Sequence, residues 1–163
     1  MMVAGFIKKG ARVADIGTGD GHLPVYLAQN GLASHIIASD KSASSVKTAL
    51  LSADKYGVAD KIVFITSPGL SGIGETETDT IIIAGMGGET ILKILADAPW
   101  TKRCGLKIIM QPQTKTETLC SWLHENGYSI QETAHTQDKG RFYFVAVAGT
   151  VSALAVQGSE LSD

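Results

Sequence analysis

Residues Asp15–Gly21 have the sequence DIGTGDG and lie between a short apolar segment and a helix-like one. Arg12–Ile16 predicts a β-strand. Leu23–Asn30 predicts a helix, with Pro24 in its first turn and Gly31 as its stop. Glycine lets the chain turn sharply after a strand and lets a ligand approach main chain that a Cβ would cover. The segment therefore predicts a strand, a ligand-binding loop and a helix in succession.

Strand-like and helix-like segments keep alternating along the chain, which predicts an α/β fold with a parallel sheet. The further predicted strands are His35–Ser39, Lys61–Thr66, Asp79–Ala84 and Leu106–Gln111. The further predicted helices run from the N-cap Ser42 to Tyr56, over Glu89–Asp97, and from a Thr114/Glu117 capping box to near Gly127. Residues 67–78 predict an irregular surface connection because they are rich in Gly, Ser, Pro and Thr.

The pattern changes near the end of the chain. Ser129–His135 and Arg141–Ala148 predict two antiparallel strands joined by the polar loop Thr136–Gly140. The sequence therefore predicts a mostly parallel, seven-stranded sheet with a C-terminal antiparallel hairpin. We expect one domain over residues 1–148 and a loose C-terminal tail over residues 149–163.

Composition narrows the functional class. The chain has 163 residues, 44% of them apolar and 18% charged, which is typical of one globular domain and not of a membrane protein. A formal charge of −2 is unlike that of a strongly basic nucleic-acid binder, although it leaves room for a local basic face. Cys104 and Cys120 lack metal-ligand spacing, so we expect a reduced, cytoplasmic protein without a metal site. The sequence leaves the oligomeric state open, a homodimer included.

Four segments carry residues suited to a ligand site, and each follows a predicted strand. They are Asp15–Gly21, Asp40, Gly85–Gly88 and Gln111–Gln113. In an open α/β sheet, ligands bind beyond the carboxyl ends of the strands, where the winding reverses. The sequence therefore predicts that these segments form one site.

The glycine spacing indicates which ligand that site takes. The dinucleotide fingerprint G-x-G-x-x-G would need its third glycine at His22, whereas here Gly17, Gly19 and Gly21 alternate behind Asp15. This spacing resembles motif I of the class I methyltransferases, whose Rossmann-like sheet binds S-adenosyl-L-methionine. Asp40, some twenty residues further on, suits the ribose hydroxyls of such a cofactor.

Two of the acidic residues also have structural interpretations. Asp40 is placed to cap the helix that follows it, and Asp15 to order its own loop. The residues predicted to bind the cofactor are Asp15, Gly17, Thr18, Gly19, Gly21, Asp40, Lys41, Gly85, Met86 and Gly87.

Three runs together resemble the bacterial tRNA (adenine-22-N1)-methyltransferase family. They are VADIG at 13–17 with Leu23-Pro24, IAGMGG at 83–88 and IMQPQ at 109–113, and the resemblance spans roughly residues 1–148. It implies methyl transfer from S-adenosyl-L-methionine to N1 of an adenine in tRNA. That nitrogen has a free lone pair, so positioning and a carboxylate that stabilises the cationic product would dominate catalysis.

The chain departs from this family at three places. The family's acidic residue after the first glycine falls on Gly19, so we predict that the adjacent Asp20 is the catalytic carboxylate, with Gln111 and Gln113 positioning the base. Ser67-Pro68-Gly69-Leu70 replaces the family's Gly-Asp-Gly-Leu. The family's C-terminal helical domain has no counterpart in this sequence.

Other functions remain open at this stage. The chain could methylate another nucleic acid or a small molecule, or it could be a diverged, non-catalytic module that binds S-adenosylmethionine or a nucleoside. His22 is placed either to assist catalysis or simply to face solvent.

Overall fold

The computed structural model describes residues 3–150. Its strands are β1 (Ala11–Ile16), β2 (Ala33–Asp40), β3 (Val63–Thr66), β4 (Thr80–Met86), β5 (Lys107–Pro112), β6 (Ser129–Asp138) and β7 (Arg141–Gly149). Its α-helices are α1 (His22–Gln29), α2 (Ala43–Lys55), α3 (Gly88–Ala96) and α4 (Thr116–Glu125). Short 3-10 helices cover Ala4–Phe6, Ala59–Lys61 and Pro99–Lys102.

The strands form one seven-stranded sheet in the order β3-β2-β1-β4-β5-β7-β6. Strands β1 to β5 pair in parallel, and β7 pairs antiparallel with both β5 and β6. The predicted Rossmann-like sheet with a C-terminal hairpin is confirmed. Because the chain winds from β1 out to β3 and then returns to β4 beside β1, the winding reverses between β1 and β4, where such sheets bind ligands.

The core lies on both faces of the central strand β4. Ile81, Ile82 and Ile83 have no exposed surface, as the uninterrupted β-branched run predicts for a strand covered on both sides. Ile81 and Ile83 pack in the cluster that contains Leu95 of α3. Ile82 packs on the other face with Leu27 of α1. The sheet is therefore a rigid support for the loops at its edge.

The start of α4 differs from the prediction. The helix begins at Thr116 after Lys115, whose φ is 55° and which makes no side-chain cap, so the predicted Thr114/Glu117 capping box is wrong. The Thr114 carbonyl instead accepts from the Gly88 N–H at 2.7 Å. A Cβ on Gly88 would lie 2.5 Å from the Lys115 carbonyl oxygen. Close packing against the start of α3 thus decides how this turn is built.

The hairpin is also longer than predicted. Residues 136–138, expected in the loop, belong to β6, which leaves a two-residue turn at Lys139 and Gly140. Both residues have positive φ, 48° and 77°. A turn of this kind matches the twist of the paired strands, so pairing continues to the end of the hairpin. At the other end β7 includes Gly149, and residues 151–163 of the predicted tail lie outside the described residues.

Three further features concern the described part of the chain as a whole. Between residues 3 and 150, none of the helices combines the length and apolar character needed to cross a membrane. Over the same range, His, Cys, Asp and Glu side chains form no group of three or more that could hold a metal ion. Cys104 and Cys120 are free thiols.

Candidate functional site

The predicted segments meet at one cavity beyond the carboxyl ends of β1, β2, β4 and β5. This switch-point cavity has a volume of about 440 Å³. The predicted site residues that line it are Gly17, Asp40, Lys41, Gly85, Met86, Gly87 and Gln113. The geometry therefore brings these loops, which are distant in sequence, to one cavity.

Asp40 joins two of these loops. Its Oδ2 accepts from the Gly19 N–H at 3.1 Å, and its Oδ1 accepts from the Ser42 N–H at 3.0 Å. The cap of α2 is Ser42 itself, whose hydroxyl accepts from the Ser45 N–H at 3.3 Å. A carboxylate offers about four lone-pair positions, so Asp40 keeps acceptor capacity in the cavity that it lines.

Glycine occupies each of the three alternating positions for a different structural reason. A Cβ on Gly17 would lie 2.1 Å from the Met86 Cε atom, and one on Gly21 would lie 2.8 Å from the Ala49 Cβ atom of α2. A Cβ on Gly19 would meet nothing within 4 Å. All three residues have positive φ, between 55° and 77°. Gly17 thus makes room for Met86, Gly21 makes room for α2, and Gly19 leaves open main chain.

Asp15 and Thr18 lie beneath the loop and do not line the cavity. Asp15 is 5% exposed, and its Oδ2 accepts from the Thr18 hydroxyl at 2.8 Å. Burial raises the pKa of the Asp15 carboxyl to about 7, the negative charge of Asp40 adds to this, and the Thr18 hydrogen bond opposes it. The observed contact orders the loop, which is the structural interpretation of Asp15.

Gln111 contacts the main chain of the neighbouring strand. It is 4% exposed, and its Oε1 accepts from the Gly85 N–H at 3.0 Å. Gly85 has a φ of 76°, and the β4–β5 register shifts between Ala84 and Met86. Because its carbonyl oxygen is occupied in this way, Gln111 holds the irregular end of β4 in position. Of the two glutamines, Gln113 lines the switch-point cavity.

The structure does not bring Asp20 together with the other predicted site residues. Its side chain is 72% exposed and lies 3.7 Å from the His22 Nε2 atom, which is also exposed. Neither residue lines the switch-point cavity. Both side chains are exposed to solvent.

A second cavity adjoins the first; the sequence analysis named Gln111 and Gln113 of its lining but missed the hairpin residues. This hairpin cavity, of about 660 Å³, lies between the end of β5 and the β6–β7 hairpin. It shares Gln113 with the switch-point cavity. The residues that the hairpin contributes are His135, Arg141, Phe142, Tyr143 and Phe144. A detectable signal was the run Arg141–Phe144, which lacks the polar alternation of an exposed strand.

A family model described as a methyltransferase domain matches residues 1–146. The chain belongs to the methyltransferase domain family. The tRNA (adenine(22)-N(1))-methyltransferase of Bacillus subtilis (strain 168) is 34% identical to this methyltransferase domain over 147 residues. The match covers 90% of the chain and 61% of that relative, so the chain spans less than two thirds of the relative's length.

Solved structures agree with the sequence match. The crystal structure of the B. subtilis M1A22 tRNA methyltransferase TrmK has a TM-score of 0.85 at 31% identity, covering 92% of this chain and 64% of that one. The structure of M. capricolum TrmK in complex with S-adenosyl-homocysteine has a TM-score of 0.78 at 26% identity, covering 95% and 71%. The family resemblance predicted from the three motif runs is thus confirmed.

Proposed function

We propose that this methyltransferase domain transfers the methyl group of S-adenosyl-L-methionine to N1 of an adenine in tRNA. The observation that carries the proposal is the Asp40 carboxylate, which ties the glycine loop to β2 and lines the cavity. It stands at the position where dinucleotide-binding and related sheets hold a ribose. The 34% identity to the B. subtilis enzyme with this activity supports the proposed substrate.

The switch-point cavity suits an adenosyl cofactor. Its volume of about 440 Å³ is that of a small-ligand pocket. We assign the ribose hydroxyls to Asp40 and the apolar wall to Met86 and Ile94, which all line the cavity. Gly19 does not line the cavity, and we assign to it open main chain beside Asp40. When bound, S-adenosyl-L-methionine supplies an electrophilic methyl group on a sulfonium. The bound S-adenosyl-homocysteine of M. capricolum TrmK supports this cofactor.

Methyl transfer to adenine N1 requires little proton transfer by the protein. Adenine N1 carries a lone pair in the plane of the ring, so no base is needed before attack, and alignment supplies most of the acceleration. The methylated ring is cationic, and a carboxylate near it lowers the energy of the transition state. Asp20 stays our proposed carboxylate for this role. Its exposure leaves it accessible to bound RNA.

A tRNA substrate requires local positive charge because the chain carries a formal charge of −2. Two cationic side chains lie at the site, Lys41 at the switch-point cavity and Arg141 at the hairpin cavity. We propose that they contact RNA phosphates and that the domain works in the cytoplasm, where Cys104 and Cys120 would stay reduced.

Two measurements test the proposal. Calorimetry should detect binding of S-adenosyl-L-methionine, and the domain should incorporate labelled methyl groups into unmodified bulk tRNA, with 1-methyladenosine found after nuclease digestion. If no binding is detected at a high concentration of S-adenosyl-L-methionine, every interpretation of the domain as a methyltransferase enzyme is excluded. Methylation of a small-molecule extract in preference to tRNA would remove the RNA substrate and keep the methyltransferase.

A further inference from the structure

The end of the β6–β7 hairpin projects past the sheet on the side of the switch-point cavity. β7 pairs with β5 only where Ile108 to Met110 face Ala148 to Ala146. In this register Pro112, the last residue of β5, stands across from Phe144. Residues 141–143 therefore extend beyond the carboxyl end of β5 and form a wall next to the cavity.

This wall carries aromatic rings in contact with solvent. Phe142 and Phe144 alternate with Tyr143 along β7, so they share one face of the hairpin. His135 of β6 pairs with Phe144, and their rings lie 5.4 Å apart in an edge-to-face arrangement. Phe142 is 76% exposed at the end of the row. A large exposed ring beside partly buried ones in a cavity indicates a surface that contacts a ligand.

The polar groups of the same cavity narrow the ligand class. Arg141 alternates to the other face of β7 but also lines this cavity, where it supplies a cation that suits a phosphate. Gln113 supplies an amide, which can donate to and accept from the edge of a base. Aromatic rings stack on bases of any sequence. Ring, cation and amide together fit a nucleotide better than an amino-acid side chain. Gln113 also lines the switch-point cavity, so this nucleotide would lie next to the cofactor.

We propose that the hairpin cavity binds the acceptor nucleotide of the RNA in an unstacked conformation, with its base on Phe142 and its phosphate at Arg141. The inference rests on the proposed function and adds the two side chains that hold the acceptor nucleotide, Phe142 and Arg141. N1 lies on the Watson–Crick edge of adenine and is blocked in a base pair, so the base has to leave its helix or come from a loop. The hairpin then replaces the lost stacking.

Substitutions at Phe142 test the stacking contact. Phe142→Ala should lower kcat/KM for unmodified tRNA by about 5- to 150-fold, the range of one base stack. Its Kd for S-adenosyl-L-methionine should stay that of the parent. Phe142→Trp should restore kcat/KM. The matched control is Tyr56→Ala, which removes a 52% exposed ring at the end of α2, outside both cavities, and should leave kcat/KM unchanged.

Substitutions at Arg141 test the phosphate contact. Arg141→Ala should reduce by about one the slope of log affinity for tRNA against log salt concentration. Lys61→Ala, a control at an exposed lysine outside both cavities, should keep the parent slope. Equal slopes for Arg141→Ala and the parent would overturn the phosphate assignment.

Direct binding separates failure of this inference from failure of the proposed function. The parent and Phe142→Trp proteins should quench the fluorescence of 2-aminopurine in a single-stranded oligonucleotide, and Phe142→Ala should not. If the parent methylates tRNA and Phe142→Ala does so equally well, the inference fails and the proposed function stands. If the parent leaves tRNA unmethylated but quenches through Phe142, the proposed function fails and the nucleotide site stands. Quenching that is the same in all three proteins would overturn the site.

Discussion

The Gly19 N–H donates to Asp40 Oδ2 at 3.1 Å, which links the loop after β1 to the end of β2. The same carboxylate accepts from Ser42 through its other oxygen. One side chain therefore sets the distance between two walls of the switch-point cavity. Because Asp40 also faces that cavity, cofactor binding and loop geometry should respond together to its replacement.

Asp40→Asn should weaken binding of S-adenosyl-L-methionine by about 10- to 150-fold, the effect of losing one hydrogen bond to a charged group. The amide has one oxygen, so it leaves either the Gly19 or the Ser42 N–H without its acceptor and lowers the thermal midpoint. Titration calorimetry and thermal melting measure the two effects. The control is Asp54→Asn at an exposed position of α2. Cofactor affinity equal to that of the parent would remove Asp40 from the binding site.

Asp15 should make the free energy of unfolding depend on pH. Its carboxyl has a pKa of about 7 in the folded chain against an ordinary 3.8, because burial disfavours the charged form. Between these values the unfolded chain has lost the proton and the folded chain keeps it, so unfolding releases a proton and stability falls as pH rises. The protonated Asp15 carboxyl contributes on the order of 4 kcal/mol to the free energy of unfolding, and this stabilisation is lost between about pH 4 and pH 7.

Asp15→Asn removes this titration and keeps an oxygen for the Thr18 hydroxyl. Relative to the parent, the variant should gain stability from about pH 4 to pH 7 in urea unfolding experiments, and the difference should then level off. A constant difference across that range would mean that Asp15 has an ordinary pKa in the folded protein.

Gln111→Met should destabilise the domain through the main chain of β4. The substitution removes the acceptor of the part-buried hydrogen bond from the Gly85 N–H, which costs about 0.5–1.5 kcal/mol. Since Gly85 and Met86 line the switch-point cavity, cofactor affinity should fall as well. Gln137→Met, at an exposed position of β6, is the control for the change in side-chain type. Loss of tRNA affinity with unchanged stability and cofactor affinity would instead support direct contact of Gln111 with the base.

Asp20→Ala should lower kcat for tRNA by a factor of about 100 or more if the carboxylate stabilises the developing ring charge. Cofactor affinity should change little, because Asp20 lies outside the switch-point cavity. Rapid single-turnover assays separate the chemical step from RNA binding. Asp60→Ala, at another exposed acid, is the control. Single-turnover rates equal to those of the parent would exclude Asp20 from the mechanism.

Local sequence patterns predicted most of the fold because burial of apolar runs and helix capping depend on residues close together in the sequence. The apolar run Ile81–Ile83 can only be buried on both faces, and Ser42 caps α2 through its own hydroxyl. The capping box at Thr114 failed because Gly88, distant in sequence, competes for the same backbone. The hairpin loop was overestimated because its polar residues pair across the strands.

The site could be predicted only in part for a similar reason. The convergence of the loops follows from the strand order of an α/β sheet, which sequence periodicity already indicates. The contact between Gln111 and Gly85 depends on an irregular register between β4 and β5, which leaves no local signal. The hairpin cavity depends on how far β7 extends past β5, which only the sheet pairing shows.

The register between β5 and β7 affects which base the domain can accept for methylation. Sliding β7 by a single residue would carry Phe142 about 3.4 Å along the hairpin and turn its ring to the opposite side of the sheet. The pairing of Met110 with Ala146 therefore determines how far along the hairpin the Phe142 ring lies and on which side of the sheet it faces. Relatives whose hairpins differ by an odd number of residues should present their rings to differently shaped acceptors.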